Sequence, residues 1–411
     1  MGRRAVELVL CGLLAGPIAC ESASPVVPPA PALAGLLEGT PTGPLTLREV
    51  LAINLDGTQP FAAPLPWVFT DEGQNIVVVD PVLQRVSRWD SAGGREWSRE
   101  LADILGTRPW LLRHATMVAG NLVLASTQPA ERDRGLGRID MVNALGRSVS
   151  HFDIDLPSEI VGAAAVRDQP GLLFSEWTDV DSTGFRQAVR ILAIVKQDGS
   201  LDTLMRLPGK RLAQLRIGLA TINPVLPFAP DPLHAVGDSG QVYYAEGSEY
   251  AIQVLSDRGG TPKTIRRQAT RIAVTDSLLD AYFQSLQSSL AGSVSDSIIM
   301  VMIDWMRARP RLPYVAPFRS LWAGPRLIAL ERADVNPVPD IMEDTARIDL
   351  VGIEPDSTKV GYFYLPPRTM LRHLSASAIY AIRWEPVSSF SGVPFSEAPI
   401  KRQLVKLSLS R

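Results

Sequence analysis

The sequence predicts an all-β fold closed into a ring, a six-bladed β-propeller with a helical hairpin insertion, and three observations predict it. A unit of apolar strand, polar corner, second strand and glycine turn returns about six times at a spacing of about 40 residues, the period of propeller blades. Each unit is too small for its sheet to bury both faces unless its neighbours stack on it. Helical periodicity occurs in a single place, which argues against a helical solenoid of similar period.

In chain order, residues 47–411 carry the repeats. "LREVLAINL", Leu47 to Leu55, precedes the first unit and is expected to add a strand to the C-terminal blade, since joining the chain ends leaves no sheet edge open. The first unit is "DEGQNIVVVDPVLQRVSRWDSAGG", with strands at Ile76 to Val79 and Arg85 to Trp89. The second, "VAGNLVLASTQPAERDRGLGRIDMVNALGR", has strands at Leu122 to Ala125 and Arg138 to Val142 around a longer corner. "RDQPGLLFSEWTDVDSTGFRQAVRILAIVKQDGSLDTLMRL" repeats the pattern and adds a strand after its "DGS" turn. The fourth unit, "GQVYYAEGSEYAIQVLSDRGG" from Gly240 to Gly260, is the plainest. "AGPRLIALERADVNPVPDIMEDTARIDLVGIEPDSTKVGYFYL" and "SASAIYAIRWEPVSSFSGVPFSEAPIKRQLVKLSL" complete the ring.

Residues 275–309, between the fourth and fifth units, break the pattern. Thr275 is suited to cap a helix, and Leu278, Leu279, Tyr282, Phe283, Leu286 and Leu290 follow a helical period that Gly292 ends. A second helix is expected from Val294 to Arg307, stopping before Pro310. Its run "IIMVMIDWM" is apolar on nearly all sides, so the hairpin either covers a face of the propeller or, through Ile298 to Met306, docks on a partner or membrane.

The 411 residues, 46% hydrophobic and 20% charged, suffice for one large repeat-built domain. A formal charge of −2 with no basic stripe argues against a nucleic-acid partner. Residues 1–20 have the charged, apolar and small-residue regions of an export signal, with Arg3 and Arg4 followed by "VLCGLLAGPIA". The "GPIAC" that closes them resembles the lipobox of bacterial lipoproteins, which implies lipidation of Cys20, although Pro17 and Glu7 depart from that pattern. Of the 2 cysteines, Cys11 lies inside the signal, so Cys20 has no disulfide partner. The Pro/Ala-rich 21–46 reads as an extended linker. The expectation is a monomer in the periplasm or cell envelope, held there by a lipid anchor if Cys20 is acylated.

The order of "VYYAEGSEYAIQVLSDRGG", a helical insertion after "IRRQATRIAVTD", and then "FRSLWAGPRLIAL" resembles exported members of the NHL-like bacterial six-bladed propellers, over roughly residues 47 to 411. That resemblance implies the fold and a secreted or lipoprotein character. It implies little chemistry, because most such members have no assigned activity.

The strong catalytic and metal signatures are absent from the sequence. "DVDSTG" and "SGVPFSE" lack calcium-loop spacing and read as solvated corners. His114, His234 and His373 each precede an apolar strand by about seven residues, in the second, fourth and sixth units. Pseudo-symmetry would aim all three at a central channel, where neutral imidazoles could hold zinc or another divalent metal and an activated water. A six-bladed lyase family is similar in using channel histidines, though fold alone does not transfer function. The remaining histidine, His151, falls in an outer strand and reads as surface or packing. Glu176, Asp231 and Asn223 are the candidates for a calcium site, but their spacing does not demand convergence. Trp67, Trp177, Trp322 and Trp384 read as packing between blades, and Arg319 and Arg326 as surface or as anion ligands at the channel mouth. Two readings follow: a binding or scaffold module of unknown ligand, and a metal-dependent hydrolase or lyase built on the three histidines. Whether the chain is an enzyme stays open between them.

Overall fold

The computed structural model describes residues 33, 37, 44–60, 63–106, 110–128, 135–217, 220–237, 240–256, 261–290, 294–338, 343–353, 360–387 and 398–410. The expected signal 1–20 with Cys20, most of the linker, and the corner "SGVPFSE" lie outside the described residues.

Six four-stranded antiparallel sheets make the ring. A long strand β1 (Thr46–Pro60) comes first, and blade one follows as β2 (Trp67–Thr70), β3 (Ile76–Asp80), β4 (Arg85–Trp89) and β5 (Arg95–Glu100). A short helix α1 (Leu101–Leu105) leads to blade two: β6 (Leu111–Val118), β7 (Asn121–Thr127), β8 (Gly135–Val142) and β9 (Ser148–Leu156). Blade three is β10 (Glu159–Val166), β11 (Gln169–Trp177), β12 (Phe185–Val195) and β13 (Leu201–Ala213), after which β14 (Leu215–Ile217) and β15 (Ala220–Ile222) form a small hairpin. Blade four is β16 (Leu233–Val236), β17 (Val242–Ala245), β18 (Ala251–Leu255) and β19 (Lys263–Arg266). After helices α2 (Asp276–Leu290) and α3 (Asp296–Arg307), blade five is β20 (Phe318–Gly324), β21 (Leu327–Arg332), β22 (Ala346–Gly352) and β23 (Val360–Leu365). Blade six takes β24 (Thr369–Leu374), β25 (Ile379–Pro386) and β26 (Pro399–Ser410) from the C-terminus, and its fourth strand is β1.

That pairing runs from Thr46 opposite Ser410 to Pro60 opposite Pro399, so the strand expected at Leu47 to Leu55 does close the last blade. The sequence units, however, start one strand late. Ile76 to Val79, Leu122 to Ala125 and the "VYYA" of the fourth unit are second strands, and a further strand lies inside each of them. The reason is burial: β3 is buried at every residue because a blade lies on each side of it, whereas outer strands such as β5, "REWSRE", are almost wholly exposed.

The core is divided among the seams between blades. Val77 and Val79 pack with Leu122 and Leu124 of blade two, while the alternate residues Ile76 and Val78 pack with Tyr380 and Ile382 of blade six. Corresponding clusters fill the other seams: Ile139 with Phe174, Leu192 with Val242, Tyr243 with Ile328, and Phe363 with Ile379. A further cluster, Phe283 with Ile299, Ile303 and Met306, joins α2 to α3. The Thr275 hydroxyl accepts the Leu278 N–H at 3.3 Å, as a capping residue should. The helices lean on the ring through aromatic pairs, Tyr282 with Phe228 and Trp305 with Phe185. Ile299, Ile303 and Met306 of α3 are buried while Met300 and Val301 face outward, so apolar residues lie on both sides of this helix, as the run predicts. Among the described residues no helix is long and apolar enough to cross a membrane.

Candidate functional site

The innermost strands β2, β6, β10, β16, β20 and β24 surround a cavity of about 610 Å³ on the ring axis. Blade three contributes the small residues Gly162, Ala163, Ala164 and Ala165, which leave the space open. Trp67, Phe69 and Trp322 supply apolar surface, and His114, His234, His373 and Arg372 supply polar groups. All three predicted histidines therefore lie on innermost strands and line one cavity.

They do not meet at one point. β2 serves as a ruler, because the His114 ring lies 5.7 Å from the Trp67 ring, whereas His373 Nε2 lies 3.0 Å from the Thr70 hydroxyl oxygen. Three residues of strand separate those contacts, about 10 Å at the usual rise per residue. Register agrees: His114 pairs with Ala125, His234 with Tyr244 and His373 with Tyr380, so each stands at a different distance from its hairpin turn. Among the described residues no group of three or more His, Cys, Asp or Glu side chains is gathered to hold a metal ion.

Each imidazole is held neutral at physiological pH. Burial is the main cause in all three, lowering each pKa to about 4. Arg113 and Arg372 add to the effect on His114. For His234, the hydrogen bond to the Pro208 carbonyl and the charge of Asp231 oppose the burial, while Arg190 reinforces it. Because a carbonyl oxygen only accepts, His234 donates from Nε2 at 2.9 Å, which leaves Nδ1 as the ring's acceptor. For His114 neither ring nitrogen has a hydrogen-bond partner among the described residues.

Arg372 was not legible as a site residue. It sits where the β24 ladder shifts register between Leu371 and His373, the kind of bulge that re-aims a side chain. Its Nε donates to the Pro66 carbonyl at 3.0 Å, just before Trp67, and no carboxylate pairs with it among the described residues. Burial and the nearby Arg402 lower its pKa to about 10. A sequence signal did exist: "LRH" occurs at Leu112 to His114 and again at Leu371 to His373, with the ladder slipping at the arginine both times.

The other candidates fall elsewhere. Glu176 pairs with Arg206 at 3.2 Å, Asp231 pairs with Lys210 at 2.9 Å, and Asn223 is exposed in the segment after β15. No calcium-like set is assembled from them. Arg319 donates to the Asn336 carbonyl and lies 3.8 Å from Glu331, and Arg326 holds a positive φ of 61° in the β20–β21 turn. Trp67 and Trp322 line the cavity, Trp384 is buried, and Trp177 lies under the Arg186 guanidinium at 4.4 Å. His151 is exposed on the outer strand β9.

No family model and no curated protein matches the chain. Among solved structures it is similar to virginiamycin B lyase from Staphylococcus aureus, at 9% identity over 89% of this chain and 100% of that one, with a TM-score of 0.38. It is likewise similar to the PQQ-bound aldose sugar dehydrogenase of Streptomyces coelicolor, at 10% identity over 90% and 100% of the two chains, with a TM-score of 0.40. A protein of unknown function from Bacteroides caccae aligns over 72% of this chain and 80% of its own, at 9% identity and a TM-score of 0.34. Likenesses of this degree transfer neither substrate nor residue roles, and the six blades are established by the strand topology of this chain itself.

Proposed function

We propose that the chain is an exported, NHL-like propeller that serves as a binding module, with a small-molecule ligand taken into the axial cavity. One observation carries this reading: the inner strands leave about 610 Å³ of space, the size of a ligand site, walled by aromatic rings and a few polar groups. His114 and the Nδ1 of His234 offer hydrogen-bonding capacity that the protein itself does not use. Neutral imidazoles can both donate and accept, which suits recognition of polar atoms on a partly apolar body.

The metal-assisted hydrolase or lyase needs His114, His234 and His373 on a single ion, and the separation of His114 from His373 along β2 favours binding instead. Filling the cavity tests the proposal. Ala164→Trp should abolish retention of small molecules that copurify with the full chain, as read by mass spectrometry of the denatured protein, with a cooperative melt as the check that the seam against which Ala164 also packs has survived. Equal retention by both proteins would place binding outside the channel. Export and acylation of Cys20 are tested by the intact mass of membrane-extracted protein.

A further inference from the structure

Arg372 faces the cavity, and no carboxylate pairs with it among the described residues. Its Nε is engaged by Pro66, so the guanidinium plane is fixed, while both Nη groups have no partner among the described residues. Its neighbours make a recognition surface: the His114 imidazole, with both nitrogens unused, lies close enough to feel its charge, and the Trp67 ring lies 5.7 Å from that imidazole. None of the carboxylates lining the cavity, Asp71, Glu72 and Asp168, pairs with it, and among the described residues the only charge that bears on its pKa is that of Arg402. Asp71 and Glu72 follow β2, five and six residues beyond Pro66, which is more than about 15 Å of strand, and Asp168 sits in the β10–β11 turn. Asp71 is moreover paired with Arg88 at 2.6 Å. A partly buried cation with no anion is costly to fold, and a fixed fork of two N–H groups matches the two oxygens of a carboxylate or phosphate.

We propose that the cavity binds an organic oxyanion, a small molecule with a carboxylate or phosphate group on an apolar or aromatic body, with its oxygens on the Nη groups of Arg372, His114 as second donor and the body against Trp67. This rests on the channel-binding reading and adds the ligand's charge and the end of the cavity at which it is anchored.

A charge series of one ring shape tests it on the purified full chain: benzoate, phenyl phosphate, benzyl alcohol and benzylamine, followed by calorimetry and by quenching of tryptophan fluorescence with Trp67→Phe as the reference. At least one of the two anions should bind, with benzoate against phenyl phosphate separating the two oxyanions, and benzylamine should bind least. Arg372→Gln should weaken the anion about tenfold or more and leave benzyl alcohol unaffected, as loss of a charge-assisted pair requires. Arg372→Lys should restore part of the affinity. The Arg372→Gln protein should melt no lower than the parent, because an unpaired charge has been removed. Preference for benzylamine or benzyl alcohol, undiminished anion binding by Arg372→Gln, or loss of its cooperative melt would overturn the assignment while leaving channel binding in place. No response to any member of the series would remove the channel reading and this inference with it.

Discussion

The three channel histidines differ from ordinary surface histidines in one respect with a measurable consequence. Their folded-state pKa values lie near 4, below the unfolded value of 6.5, so as pH falls the unfolded chain takes up protons first. Their contribution to stability is therefore complete above about pH 6.5 and is lost between there and about pH 4. Thermal melts should be flat from pH 8 to 7 and fall steeply below 6.5, before the carboxylates titrate. His373→Gln, which can keep a hydrogen bond to Thr70, should reduce that slope. An unchanged slope would mean that His373 is solvated. At this scale the sequence placed each imidazole just ahead of an apolar run and on the channel side, but not on the inner strands β6, β16 and β24 that carry them. It did not show their heights, because hairpin length, four residues beyond His114 in β6 and one beyond His373 in β24, decides where along the axis each ring stands.

Legibility of an element depends on how much of it is buried. Middle strands such as β3, β7 and β21 are sandwiched and read as apolar runs, so the repeat was found through them. Inner strands such as β16, "LHAV", are short and half-buried, and outer strands such as β5 are polar; neither gives a periodic signal. α2 and α3 were visible through their period, but the inward set on α3 became definite only with packing, when Ile299, Ile303 and Met306 faced Phe283. Their cluster is separate from those of the blades, so the helices should open independently of the ring. Ile303→Ala should lower their opening free energy by roughly 2–4 kcal/mol, seen as faster amide hydrogen exchange across 276–307, with blade amides unchanged. Equal acceleration in the blades would show that the helices and the ring unfold together.

Closure is the property of the whole molecule on which the cavity depends, and one buried network fastens it. Arg402 on β26 donates to Gln59 of β1 and to the Ala63 and Pro64 carbonyls, and Gln59 Nε2 donates in turn to Asp80 of blade one at 3.1 Å. Asp80 also accepts the Val82 and Leu83 N–H groups at 2.9 Å each. The network ties the last blade, the closing strand and the first blade together across more than 300 residues of sequence. Arg402→Ala leaves the buried Gln59 side-chain oxygen without its donor, while the Ala63 and Pro64 carbonyls can turn to solvent, so it should cost roughly 2 kcal/mol of stability in chemical denaturation. A change within about 0.5 kcal/mol would mean that the β1–β26 ladder suffices alone.

Apolar runs separated by turn residues were enough to determine that the chain repeats and that its repeats are β, because both follow from burial on both faces of a short strand, and the need to leave no sheet edge open was enough to pair the strand at Leu47 to Leu55 with the last blade. The levels of the histidines, the turn of Arg372 toward the cavity and the Arg402 latch were decided by the tertiary structure alone, since they depend on ladder register and on which side chains meet across seams between residues far apart in sequence.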